Sequence, residues 1–134
     1  MFGIVGGTGL GELASLEDAR SEIVQTQYGE AFCETGLLTG QSVVFLPRHG
    51  QPAVYPPHRI NYRANIEALK QIGVTEVLAV TAVGSVAPEL EVSDFVIPDQ
   101  IVDYTSGREH TFFDNEINHI DFTYPFDSKL RQRI

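Results

Sequence analysis

Residues 61–86 read NYRANIEALKQIGVTEVLAVTAVGSV. In the first part, Ala64, Ala68 and Leu69, then Ile72, recur at helical spacing, and Gly73 follows as a C-cap. The second part, TEVLAVTAVGSV, is a continuous apolar run of the kind buried on both faces of a parallel sheet. A helix feeding such a strand is the building unit of an α/β fold.

Working outward, Phe2 to Val5 reads as a short buried strand that runs into a glycine-rich loop. SEIVQTQYGE (21–30) carries a second strand ended by Gly29. CETGLLTGQSVVFLPRHG (33–50) reads as two strands joined around a turn at Gly40, because VVFL is β-branched and aromatic. PAVYPPHR (52–59) is a proline-rich loop. Beyond the opening stretch, DFVIPDQIVDYT (94–105) is expected to add one or two strands around Pro98. From Thr105 the pattern is polar and aromatic, suited to loops, until SKLRQRI starts a helix with Asp127 or Ser128 as its N-cap. That helix begins without a C-terminal signal, so the chain is expected to supply part of a larger domain. The order strand, hairpin, helix, strand predicts an α/β sheet with ligand-binding loops at the strand ends.

With 134 residues, 43% of them hydrophobic, the chain is expected to form a single soluble, globular domain. The formal charge of −9 comes from scattered carboxylates, and no basic stripe exists to neutralise a nucleic-acid backbone. A small anion can still bind where local donors overrule that field. Cys33 is the single cysteine, which leaves neither a disulfide framework nor a cysteine-rich metal site. No apolar run approaches membrane-spanning length and MFGIVGG is too short for a signal peptide, so a cytoplasmic protein is expected.

Three segments carry chemistry. In Gly6-Gly7-Thr8-Gly9, bare backbone lets amide groups converge on an anion, and the Thr8 hydroxyl adds a donor. The spacing satisfies neither a P-loop nor G-x-G-x-x-G, and a tight turn without a ligand reads equally well. At the end of VVFLP, the Arg48 fork can grip an oxyanion and the adjacent His49 can add a hydrogen bond; an exposed turn is the alternative. His49 and His58 lack metal-ligand spacing. In Thr81-Ala82-Val83-Gly84-Ser85, hydroxyls and N–H groups fall where ligands bind in open α/β sheets, unless Gly84 simply ends the strand. Together these form an oxyanion clamp without metal or lysine, for which phosphate is the natural guest. No Ser-His-Asp order or paired carboxylates supply a protein nucleophile, so a bound phosphate would itself attack: phosphorolysis.

GIVGGTGL, FLPRHG, INYRANIEALK, VTAVGSV and VIPDQIVDYT, in that order, resemble the purine nucleoside phosphorylase superfamily in its methylthioadenosine phosphorylase branch. DYTSGREHTFF with HIDFTYPFDSKLRQR resembles more narrowly the bacterial S-methyl-5′-thioinosine phosphorylases. The likeness runs the length of the chain but covers about the N-terminal half of such an enzyme. It implies a phosphorylase-type mixed sheet with flanking helices, assembled as a homotrimer. The reaction it implies converts 5′-methylthioinosine and inorganic phosphate, the co-substrate, to hypoxanthine and 5-methylthioribose 1-phosphate in nucleoside salvage, with no further cofactor and no metal. It also implies that Gly7, Thr8 and Gly9 hold phosphate, that Arg48 and His49 pair its charge, and that Thr81 with the Ala82 N–H completes the cradle. His119 would reach a neighbouring subunit and cover its 5′-methylthio group. Ala53 stands where the family shows a histidine, with His58 as the candidate substitute. No leaving-group acid is assigned in this stretch, and Asp99, Asp103 and Asp121 are read as turn or subunit-contact residues. Methylthioadenosine or general purine nucleoside phosphorylase activity, or a non-catalytic phosphate-binding module, are the alternatives.

Overall fold

A computed structural model describes residues 1–7 and 9–134. They divide into two units, residues 1–83 and 84–134.

The first unit is built on one five-stranded sheet in the order β2-β3-β4-β1-β5. β1 (Phe2–Gly6) lies between β4 (Gln41–Pro47) and β5 (Glu76–Ala79) and runs parallel to both. β2 (Glu17–Thr26) and β3 (Gly29–Leu38) extend the sheet as an antiparallel hairpin, with β3 antiparallel to β4. The β3–β4 connection has two residues, Thr39 and Gly40, both at positive φ (49° and 79°). That is the backbone a tight hairpin between twisted strands requires.

Between β4 and β5 the chain passes through a short 3₁₀ turn, Pro57–Arg59, and helix α1 (Tyr62–Ile72). The Asn61 side chain caps α1: its Oδ1 accepts from Ala64 N at 3.0 Å. Its Nδ2 donates to the Tyr28 carbonyl at 2.6 Å, so one residue starts the helix and ties it to the β2–β3 turn. At the other end Gly73 is left-handed (φ 92°) and returns its N–H to the last turn.

α1 buries Ala64, Ala68 and Leu69. Ala68 and Leu69 pack on Ala31 and Cys33 of β3 and Val44 and Leu46 of β4, with Val5, Val24, Ile72 and Val74 at the margin. β4 is the most enclosed strand: Val43 through Leu46 are all buried, and they point alternately to both faces of the sheet. The VVFL run is therefore central, as its composition suggests.

The expectation for TEVLAVTAVGSV is corrected here. Only Glu76–Ala79 pairs as a strand, and three of its four residues are exposed. β1 ends at Gly6, and the last bond it offers on the β5 side is Val80 N to the Val5 carbonyl (2.9 Å). β5 lies at the sheet's edge, where no further strand pairs with it among the described residues.

The second unit, 84–134, contains helix α2 (Ser128–Arg133), capped by Asp127 Oδ1 on Leu130 N at 2.7 Å. The strands expected around Pro98 are not formed. Local turns take up backbone amides instead: Asp94, Asp103 and Asp121 accept from the N–H of Glu91, Thr105 and Thr123 at 2.8–2.9 Å. Hydrogen bonds from Thr105 and Thr123 hold the Asp103 and Asp121 carboxyls below the usual range. Phe95, Tyr104 and Ile117 of this unit are more than nine-tenths exposed. No helix among the described residues is long and apolar enough to cross a membrane.

Two predictions follow from this packing. Replacing Asn61 with Ala removes both the cap and the tie to Tyr28, and should cost about 1–2 kcal/mol, read as a lower thermal midpoint. Burial, reinforced by the Glu22 carboxylate opposite it in the sheet, pushes the Cys33 thiol from 9.0 up to about 12. The folded state thus favours the protonated thiol, and the stability this contributes is present below pH 9 and is lost as pH rises toward 12. Thiol reagents should leave the folded chain unmodified near neutral pH and react once denaturant unfolds it.

Candidate functional site

The sheet register assembles the site. Gly6 of β1 stands opposite Pro47 of β4, and Val5 opposite Ala79 of β5. The residues that follow these three parallel strands, Gly7, Arg48 and Val80-Thr81, therefore leave the sheet side by side at its carboxyl edge. This is where open α/β sheets bind ligands.

Arg48 is fixed at that edge by several contacts. Its backbone N–H donates to the Gly6 carbonyl (3.0 Å). In the guanidinium, Nη1 donates to the Val80 carbonyl at 3.3 Å and Nη2 to Thr81 Oγ1 at 3.0 Å. The guanidinium also occupies the space a side chain at residue 7 would need: a Cβ there would collide with Cζ, Nη1 and Nη2. At Gly6, a Cβ would strike the Leu10 carbonyl and the Phe45 ring. Gly6 is thus demanded by close approach of backbone, whereas at Gly7 the neighbour is the far end of the Arg48 side chain, which an added methyl would displace.

His49 begins a closed loop. Its carbonyl accepts from Val54 N and Tyr55 N, each at 3.0 Å, and its ring Nδ1 lies 2.8 Å from the Tyr55 carbonyl. Nε2 is enclosed by protein and meets no hydrogen-bond partner among the described residues. Gln51 Nε2 donates to Glu12 Oε1 at 3.1 Å, joining this loop to the one after β1. Between the two loops lies an open cleft of about 500 Å³, lined by glycines 6, 7, 9 and 11, by Arg48 and His49, and by residues 53–56.

The structure brings together Gly7, Gly9, Arg48, His49 and Thr81. Ala82 follows Thr81 and is exposed; Thr8 lies outside the described residues. Ala53 lines the cleft, whereas His58 sits in the exposed 3₁₀ turn and is not among the lining residues. His119 is exposed in the second unit. Two participants escape sequence reading, Val80 and Tyr55, because each contributes a backbone carbonyl that side-chain identity does not announce. The chemistry available is anion recognition: a positioned guanidinium, an imidazole, and backbone left bare by glycine. No cluster of three or more metal-ligating side chains exists among the described residues.

Gly7→Ala tests the seat of Arg48 without touching a charge. The added methyl must displace the guanidinium, so affinity for inorganic phosphate, measured by calorimetry, should fall about 10- to 100-fold, the scale of one or two charge-assisted hydrogen bonds. An unchanged affinity would show that the anion does not depend on Arg48.

The family described as the Phosphorylase superfamily matches residues 1–134. A probable S-methyl-5′-thioinosine phosphorylase of Pseudomonas syringae pv. tomato is 48% identical, over 100% of this chain and 56% of its own length. A 6-oxopurine nucleoside phosphorylase of Pyrococcus furiosus is 44% identical, over 98% of this chain and 52% of its own. Methylthioadenosine phosphorylase from Schistosoma mansoni, solved in complex with adenine, superposes with a TM-score of 0.88 at 35% identity, over 98% of this chain and 50% of that one. The chain spans about half the length of the curated relatives it matches. Its mixed sheet is the phosphorylase-type sheet expected from the sequence, and the chain belongs to the phosphorylase superfamily.

Proposed function

We propose that this chain provides the phosphate-binding part of a nucleoside phosphorylase. The enzyme cleaves the N-glycosidic bond of 5′-methylthioinosine to give hypoxanthine and 5-methylthioribose 1-phosphate. The observation that carries the reading is the seat of Arg48 on Gly7, Val80 and Thr81, beside His49. It holds a cation ready at the carboxyl edge of three parallel strands.

In phosphorolysis a phosphate oxygen forms a bond to C1′ as the C1′–N9 bond breaks. The purine leaves with that electron pair and takes up a proton. The sugar gains oxocarbenium character on the way, so an anion fixed beneath C1′ is both nucleophile and electrostatic stabiliser. Holding it in place is worth several kcal/mol, on the order of an effective-molarity gain. In this reading Gly7, Thr8 and Gly9 contact the phosphate, Arg48 and His49 offset its charge, and Thr81 and the Ala82 N–H complete the cradle. The active form is a homotrimer in which His119 covers the 5′-methylthio group in a neighbouring subunit's site. Inorganic phosphate is the co-substrate, and neither metal nor organic cofactor takes part.

The choice of 5′-methylthioinosine rests on the likeness of DYTSGREHTFF and HIDFTYPFDSKLRQR to the thioinosine phosphorylases, and a relative named for that substrate is 48% identical. Relatives named for 6-oxopurine nucleosides and for S-methyl-5′-thioadenosine, 44% and 48% identical, favour those substrates as the second reading.

Release of free base from 5′-methylthioinosine, 5′-methylthioadenosine and inosine, each with and without phosphate, tests the proposal. Release should require phosphate and be fastest with 5′-methylthioinosine. Arg48→Ala should raise the phosphate requirement about 100-fold or more, since it removes a charge-assisted fork. A normal phosphate dependence in that variant, or release without phosphate, would overturn the assignment; phosphate binding without release would leave a binding module.

A further inference from the structure

The cleft is larger than the anion it is read to hold. A phosphate ion takes the room of roughly two waters, each about 30 Å³. In a cleft of about 500 Å³, most of the space is therefore left for the molecule that the phosphate attacks or is joined to. A cleft of this size suits a small organic ligand.

Its lining is of two kinds. Arg48 and the bare glycine backbone supply donors. Residues 53–56 supply something else. Val54 N and Tyr55 N both donate to the His49 carbonyl at 3.0 Å, and Pro56 has no N–H, so residues 54–56 turn no backbone donor to an anion. What they present is side-chain carbon: Val54 is 62% and Tyr55 50% exposed, between Ala53 and Pro56 in the same lining. Exposed apolar groups in a concave surface, beside fixed polar ones, are the makings of a ligand site.

Tyr55 is also held in place. Its N–H is tied to the His49 carbonyl, and its own carbonyl lies 2.8 Å from His49 Nδ1. Its ring edge rests against Gly50, where a Cβ would come within 3.1 Å of Cδ2 and Cε2. An aromatic fixed in this way loses little further freedom when a ligand packs on it. The face of an aromatic ring is partly negative and attracts C–H groups, while its body excludes water from them.

We propose that Tyr55 is the sugar platform of this site, its ring packing on the C–H face of the pentose whose C1′ the phosphate attacks. This rests on the phosphate reading above and extends it from the anion to the sugar. A pentose 1-phosphate carries both groups in one molecule, so it spans both kinds of lining and binds more tightly than phosphate alone.

Calorimetric titration of the full chain with inorganic phosphate and with 5-methylthioribose 1-phosphate tests this. The sugar phosphate should bind about tenfold or more tightly than phosphate. Tyr55→Ala should remove most of that advantage while leaving the affinity for inorganic phosphate within about twofold, and Tyr55→Phe, which keeps the ring, should retain the advantage. Equal affinity for the two ligands in the unsubstituted chain overturns the proposal, as does an advantage that survives Tyr55→Ala. A Tyr55→Ala variant that loses both affinities in proportion also overturns it, since the ring would then only brace the loop. If Tyr55→Ala fails to fold, proton NMR on the unsubstituted chain with ring-labelled tyrosine decides: the bound sugar's C–H protons should show an NOE to the ring signal that Tyr55→Phe removes, and absence of that NOE overturns the proposal. Absence of binding by both ligands would instead overturn the phosphate reading beneath it.

Discussion

The fixed guanidinium of Arg48 ties together the ends of three strands that are far apart in sequence. Its backbone bonds to the end of β1, and its side chain bonds to the two residues that follow β5. An unanchored arginine loses substantial side-chain freedom when it grips a ligand. Here that loss is taken during folding, by partners that the parallel register brings within reach. The cation is then pre-organised. The core beneath serves this arrangement: β4, buried on both faces, sets the height at which Arg48 emerges, and its Val44 and Leu46 share one core with Ala68 and Leu69 of α1.

This also explains the bare glycine loop. Glycine in such a loop is usually read as room for a phosphate to approach backbone amides. At Gly7 the near neighbour is the protein's own arginine, and at Gly6 it is Phe45 and the Leu10 carbonyl. At Gly6 the backbone is bare because the protein closes on itself there. Anion recognition by the loop's amides is compatible with that.

Much of the first unit could be read from sequence, because its signals are local. The hairpin at Gly40, the central VVFL strand and the α1 helix with Gly73 at its end all appear where pattern and turn chemistry place them. Reading failed where an element depends on a neighbour: residues 80–86 and 94–105 have the composition of strands, but a strand exists only where another backbone completes its ladder. At the site, Arg48, His49 and Thr81 were visible as side-chain types. The Val80 and Tyr55 carbonyls were not, since every residue has one.

The Val80 carbonyl has a consequence for how this site can vary. The bond from Arg48 asks nothing of the Val80 side chain, only that a carbonyl stand at that height beyond β5. Substitutions at residue 80 are therefore constrained by local packing alone. Inserting or deleting a single residue between Gly73 and Thr81 is another matter, because it shifts both the carbonyl and the hydroxyl that hold the guanidinium. Among diverging copies of this chain, the spacing of that segment should be kept more strictly than its letters.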